Sequence, residues 1–263
     1  MNERRPRIAV HKFASCDGCQ LALLNAGEAF LELTRLADVM HFAEAGWYAP
    51  AAAVDIAFVE GSISTPEDIE RIRAVRASAR HLVTIGACAT AGGLQALRNG
   101  LAQSAGWLAA VYASPEYLSS LPDSQPVAAH VAVDVELWGC PVTTEQVLAA
   151  TGDLLRDIAP AVLAEPLCVQ CKQRDLACVL VSRGEPCLGP VTRGGCGALC
   201  PALGRACYGC FGPAGLPNTA ALARRFEDLG LRGEDIARRF LFITPAAQPF
   251  RDAGRRYQDP DRE

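Results

Sequence analysis

VDIAFVEGSISTPEDIERIRAVRASARHLVTIGA, residues 54–87, reads as strand, capped helix and strand in succession. The first seven residues are almost continuously apolar, as in a strand buried on both faces. Ser64, Thr65 and Pro66 then set a hydroxyl cap and a proline at the first helical turn, followed by acidic Glu67 and Asp68. That combination marks a strong helix start. HLVTIGA, residues 81–87, returns to a strand pattern. Two such strands joined through a helix form a parallel βαβ unit.

The same alternation extends in both directions. RIAVHKF (7–13) reads as a first strand, QLALLNAGEAFLELTRL (20–36) as one helix and DVMHFA (38–43) as a second strand. Downstream, an irregular region around Trp107 leads to a fifth strand, VAVDVELWG (131–139). TTEQVLAATGDLLRDI (143–158) is a helix with Thr143 or Thr144 near its cap. Strands alternating with helices imply an α/β fold with a mostly parallel, doubly wound sheet. Ligands of such sheets sit outside the carboxyl ends of the strands.

Four cysteines obey that rule. Cys16 and Cys19 follow the first strand, Cys88 follows the fourth and Cys140 ends the fifth. Glu60 closes the third strand at the same rim. Thiols from three separate loops at one sheet edge point to a shared metal site. Glycines in GACATAGG and WGCPV let backbone approach the sulfurs and donate N–H groups. A 4Fe-4S cluster takes four thiolates. Zinc also takes four, usually from two compact knuckles, and C-x-x-C after a first strand also occurs as a redox pair.

Eight further cysteines crowd into residues 168–210, CVQCKQRDLACVLVSRGEPCLGPVTRGGCGALCPALGRACYGC. Disulfides, zinc and iron–sulfur clusters are the three chemistries that use thiols at this density. A chain of 263 residues buries a core without disulfide staples. MNERRPRIAV lacks the apolar segment of a secretory signal. We therefore expect a cytoplasmic protein with reduced thiols, which favours metal. The segment is rich in Gly and Pro with few apolar periods, a loop region held by its metals. The expected division is 1–160 for the α/β domain and 161–263 for a loop-rich, cluster-binding domain. Twelve cysteines divide into three sets of four. A zinc-binding interaction module would use two C-x-x-C knuckles, Cys168/Cys171 and Cys207/Cys210, and leave four thiols over.

Other features exclude or add little. Net charge is −4 with no basic block, which argues against nucleic acid. No uninterrupted apolar run of about 18 residues suggests a membrane span. G-x-G-x-x-G is absent, and a flavin at the sheet edge would compete with the four rim cysteines for space. His11, His41, His81 and His130 read as packed histidines, Lys12 and Arg193 as solvated charges near the thiols, and Trp138 as core or a shield. Residues 221–263 hold one or two short amphipathic helices and a charged tail that frays.

SCDGCQLALL, VEGSIS, GACATAGG and WGCPVT, in this order, resemble the small subunit of nickel–iron hydrogenases; the wider superfamily includes the cluster-bearing subunit of respiratory complex I. CLGPVTRGGC and CYGCFGP resemble the hydrogenases' C-terminal cluster region, which the complex I type lacks. The resemblance covers most of residues 7–215. It implies a flavodoxin-like domain holding a proximal 4Fe-4S cluster on Cys16, Cys19, Cys88 and Cys140. It implies a distal 4Fe-4S cluster on Cys168, Cys171, Cys178 and Cys187, where Cys168 replaces the histidine of many periplasmic enzymes. The medial set is Cys196, Cys207 and Cys210, and Cys200 adds a fourth thiol, favouring 4Fe-4S over the 3Fe-4S of uptake enzymes; the plain alternative is a non-ligand thiol. Glu60 falls at the family's subunit contact, either assisting proton movement or capping a turn. The implied function is electron transfer between a nickel-bearing large subunit and a diaphorase or other flavoprotein iron–sulfur partner, closest to soluble NAD(P)-linked, sulfhydrogenase or methanogen types. No nickel is expected in this chain.

Overall fold

In a computed structural model, which describes residues 4–99 and 104–258, five strands form one parallel sheet. They are β1 (Arg7–Lys12), β2 (Asp38–Phe42), β3 (Val54–Glu60), β4 (Ala79–Ile85) and β5 (Val135–Leu137), in the order β2-β1-β3-β4-β5 with every pair parallel. This is the flavodoxin-like doubly wound order. The alternate residues of each strand supply two cores. Ile8, Val10, Ile56, Phe58, Val83 and Ile85 bury one face with the helices α1 (Gly18–Leu24), α2 (Glu28–Leu36) and Thr144–Leu154. Ala9, Phe13, Ala57, Val59 and Leu82 bury the other against α3 (Pro66–Ser78).

Local chemistry explains the boundaries. The Thr65 hydroxyl accepts the Asp68 amide at 3.1 Å and the Asp68 carboxylate accepts the Thr65 amide at 3.1 Å, a closed capping box. Thr143 and Gln146 make the same pair, at 3.2 and 2.9 Å. The run 20–36 is two helices rather than one. The chain breaks at Gly27, whose φ of 57° lies in the left-handed region that glycine enters without strain. The fifth strand is also shorter than expected. Just before it Asp134 donates its N–H to Leu82 O at 3.0 Å, but its carboxylate, not its backbone carbonyl, accepts the Leu82 amide at 2.7 Å and pairs with Arg76.

Beyond α4 (Gly86–Ala91), α5 (Ser104–Val111) and α6 (Thr144–Leu154), residues 168–210 contain only three short helices, α7 (Cys168–Gln173), α8 (Val179–Ser182) and α9 (Leu199–Ala202). They lie over a third core built with α10 (Thr219–Asp228), α11 (Gly233–Leu241) and α12 (Gln248–Gln258). Phe226, Phe240 and Phe250 stack in sequence at 6.3 and 5.9 Å between ring centroids. The third helix corrects the expected fraying tail. Phe250 is fully buried, Gly254 lies close against Leu241, and Tyr257 donates to Glu227 at 2.6 Å. The end of the expected tail, 259–263, lies outside the described residues. Among the described residues no helix is long and apolar enough to cross a membrane.

Candidate metal centres

The rim of the sheet is assembled by backbone that runs past the strand ends. Phe13 N–H donates to Glu60 O at 2.7 Å, and Ala14 and Ser62 exchange both hydrogen bonds at 3.2 and 2.9 Å. Gly61, with φ 97°, permits this contact, since a Cβ there would stand 2.5 Å from the Phe13 carbonyl carbon. The loop carrying Cys16 and Cys19 is thereby fixed to the end of β3. Ala87 N–H reaches Gly139 O at 2.6 Å and ties the Cys88 loop to the Cys140 loop. The result sets Cys88 beside Cys140 and Cys16, and Cys19 beside Cys88 and Cys140, although among the described residues no three ligating side chains are drawn tightly enough to hold a single metal ion.

Glycines make the hollow between these sulfurs. A Cβ on Gly86 would lie 2.3 Å from Cys19 Sγ, and one on Gly93 would lie 2.5 Å from Cys88 Sγ. Burial raises the Cys88 thiol to about 12, and the neighbouring Cys140 and Cys16 thiols and the Glu60 carboxylate push the same way. Cys19 is also raised, first by burial, against the Val142 amide that favours its thiolate. A metal reverses this balance by binding the thiolate.

Glu60 is 2% exposed. Its carboxylate accepts the amides of Cys19 at 3.0 Å and Gln20 at 3.2 Å. Burial raises its pKa, while these two amides pull it back. The carboxylate thus caps the loop after Cys16 and holds it in place. Lys12 is no free charge: its Nζ lies 2.7 Å from Asp17.

The C-terminal thiols crowd together, with Cys171 near Cys196 as well as Cys187 and Cys178, and Cys187 near Cys200 as well as Cys178. Burial raises Cys168 to about 11, with Cys187, Cys171 and Cys178 as its charged neighbours in that order. A Cβ on Gly189 would meet Cys187 Sγ at 3.3 Å and Cys168 Sγ at 3.8 Å. Burial likewise raises Cys210 to about 12, with Cys196, Cys140 and Cys200 acting on it. Cys207 is raised by burial and faces Gly209 N–H and the Thr192 hydroxyl. All twelve thiols are free of disulfides.

The groups touch one another. The Cys140 amide faces Cys210. Cys207 N–H donates to Cys187 Sγ at 3.2 Å, and Gly189 N–H donates to the same sulfur at 3.4 Å. Trp138, buried beside Cys140, packs on Gly212, where a Cβ would lie 2.2 Å from its ring. Arg193 corrects the solvated reading. Its guanidinium stands 5.1 Å from the Trp138 ring centroid, its Nε donates to Pro213 O at 3.0 Å, and burial lowers its pKa. The four histidines stay out of these groups as expected of packed residues; His11 and His41 face each other at 4.8 Å.

Sequence reasoning missed Gln95 and Thr192. The Gln95 side-chain amide faces the Cys88 thiol. Gln95 lies outside the quoted motifs, and Thr192 lies inside CLGPVTRGGC without the motif marking it as a partner of Cys207.

All-thiol donor groups, a glycine-lined hollow and amides aimed at sulfur fit iron–sulfur clusters. A flavodoxin-like sheet with such a rim, continued by a second thiol-dense region, defines a cluster-bearing α/β protein. The family model "NADH ubiquinone oxidoreductase, 20 Kd subunit" matches residues 16–154. The chain is 33% identical over 233 residues to the sulfhydrogenase 2 subunit delta of Pyrococcus furiosus, covering 89% of this chain and 97% of that one. It is 27% identical to a subunit of the F420-non-reducing hydrogenase vhu of Methanocaldococcus jannaschii, over 78% of this chain and 81% of that one. Among solved structures, a chain of an NAD+-reducing [NiFe]-hydrogenase in the H2-reduced state superposes with a TM-score of 0.55 at 31% identity, covering 60% of this chain and 96% of that chain. The protein belongs to the complex I 20 kDa and nickel–iron hydrogenase small-subunit family. That membership implies iron–sulfur clusters and a place as a hydrogenase subunit within a complex.

Proposed function

We propose that this chain is the electron-transfer small subunit of a cytoplasmic nickel–iron hydrogenase. It relays electrons between a nickel-bearing large subunit, where H2 and two protons with two electrons interconvert, and a diaphorase or other flavoprotein acceptor. Iron–sulfur clusters bound to the thiols supply one-electron relay centres. In this reading Cys16, Cys19, Cys88 and Cys140 hold the proximal 4Fe-4S cluster in an N-terminal domain, residues 1–160. Cys196, Cys200, Cys207 and Cys210 hold a medial 4Fe-4S cluster, and Cys168, Cys171, Cys178 and Cys187 a distal one, in residues 161–263.

The observation that carries the reading is the unbroken succession of thiol groups. Cys140 leads to Cys210 through one amide, and Cys207 leads to Cys187 through another. The exposed thiols Cys16 and Cys140 suit the large-subunit side, and exposed Cys178 suits the outlet. Within the chain, Glu60 positions the first loop, the Cys207 and Gly189 amides stabilise charge on Cys187, and Arg193 stacks on Trp138 beside Cys140. The relatives' names support the hydrogenase assignment, and the eight-thiol segment separates it from the complex I branch.

Metal and sulfide analysis of the chain purified with its large subunit tests this. Three four-iron clusters give about twelve iron atoms and as many labile sulfides per chain. Zinc without labile sulfide refutes the relay.

A further inference from the structure

Where the C-terminal helices meet the α/β unit they leave a cavity of about 710 Å³ that contains no thiol in its lining. That volume falls within the roughly 300–1,000 Å³ of small-molecule sites. One wall comes from residues 96–99 and 123–129, the other from α11, α12 and the turn between them. Both walls are held in place. Asn99 Nδ2 donates to Ser124 O at 2.7 Å, Asn99 Oδ1 accepts the Ser124 amide at 2.8 Å, and the Ser124 and Ser62 hydroxyls lie 2.7 Å apart. In the turn opposite, Ala246 N–H donates to Ala91 O and the Thr244 hydroxyl donates to Gly209 O, both at 3.2 Å.

The lining is cationic in a chain of net charge −4. Arg238 of α11 and Arg251 and Arg255 of α12 all border the cavity, and among the described residues Asp123 is the single carboxylate that does. Arg251 and Arg255 stand four positions apart on one helix face, a spacing at which like charges destabilise a helix. Arg238 pairs with Glu234 and Asp235 at 2.9 and 3.1 Å and Arg251 lies 3.8 Å from Asp252, whereas Arg255 has no ion pair among the described residues. The remainder is largely apolar: Leu97 is 45% exposed and Phe242 42%, and both border the same cavity. A bare anion would answer the arginines and leave these side chains in water. A ligand with phosphates at one end and a ring at the other covers both.

We propose that this cavity binds a nucleotide, its phosphates held by Arg238, Arg251 and Arg255 and its base set against Leu97 and Phe242. Guanidinium forks match phosphate oxygens in pairs, and a nucleoside diphosphate carries about three negative charges against the three arginines. The side-chain amides of Gln125 and Gln258, also in the lining, offer donors and acceptors to a base. A ligand seated here spans both walls and braces α12, whose Phe250 lies against the loop between Cys207 and Cys210. Binding needs no cluster, so it stands apart from the relay.

Isothermal titration calorimetry on the chain purified with its large subunit tests this, with ADP, adenosine and pyrophosphate as probes. ADP is expected to bind once per chain, and adenosine and pyrophosphate each at least tenfold more weakly. Arg251→Ala and Arg255→Ala are each expected to weaken ADP at least tenfold. Arg256→Ala removes a neighbouring charge outside the lining and leaves ADP binding within twofold. ADP should also raise the melting temperature of the wild type and not that of Arg255→Ala. No ADP binding at about 1 mM, or binding that ignores both lining substitutions, overturns the proposal. Pyrophosphate as tight as ADP overturns it too, because the apolar wall then contributes nothing.

Discussion

The amide of Cys207 donates to the sulfur of Cys187 at 3.2 Å, and the amide of Leu188 returns to the Cys207 carbonyl at 3.1 Å. Two thiols twenty positions apart, assigned by us to different clusters, are thus joined by reciprocal backbone contacts. The C-terminal groups form a single interlocked unit, so damage to the scaffold behind one is felt at the other.

Phe250 tests this coupling. It is fully buried, and its ring lies against the loop between Cys207 and Cys210, where a Cβ on Gly209 would stand 3.1 Å from it. Phe250→Ala is expected to cost about 3–5 kcal/mol. Thermal unfolding of the loaded protein should show the loss, and EPR should show broadened signals from the two C-terminal clusters with the proximal one unchanged.

At the proximal site, Gly86 decides whether the hollow exists. Gly86→Ala places a methyl group in the space of Cys19 Sγ and strains a backbone at φ 87°. Iron content should fall from about twelve to about eight atoms per chain. Gly27→Ala is the control: its φ is also left-handed, at 57°, but nothing lies within 4 Å. It should cost about 1 kcal/mol and no iron.

Gln95 faces the Cys88 sulfur as a hydrogen-bond donor. Such a bond favours the more negative, reduced cluster. Gln95→Leu removes about 1 kcal/mol of that preference, which lowers the proximal potential by on the order of 40 mV. Redox titration followed by EPR reads the shift; an unmoved potential means that the amide plays no part.

Cys200 separates a ligand from a bystander. Cys200→Ser is expected to alter the EPR spectrum of one cluster and to leave the other two. If all three spectra are unchanged, Cys200 is not a ligand.

His11 supplies a pH dependence unrelated to metal. It is 5% exposed, and burial, then His41 and Arg71, lowers its pKa to about 4 from 6.5. The unfolded chain therefore takes up a proton below pH 6.5 that the folded chain refuses until about pH 4. Stability from this group is full above pH 6.5 and falls by up to about 3 kcal/mol as pH drops through that window. The melting temperature of the wild type relative to His11→Leu should fall across the same range.

Some of this protein is written in local sequence: the parallel alternation, the helix starts at Thr65 and at Thr143 or Thr144, and four thiols at the carboxyl ends of strands. These are legible because apolar period, capping chemistry and loop position are local properties. The motifs also carried the family. Which distant groups meet is settled only in the folded chain. Glu60 reaches the Cys19 amide across 41 positions, Gln95 turns toward Cys88, and Arg193 leaves solvent to stack on Trp138. The helix break at Gly27 and the third C-terminal helix belong here too. A lone glycine in a helical run leaves its break undetermined, and a charged tail becomes helical only where Phe250 and Gly254 find a surface to bury against. Sheet order and core packing set those meetings, and neither has a period that a linear reading detects.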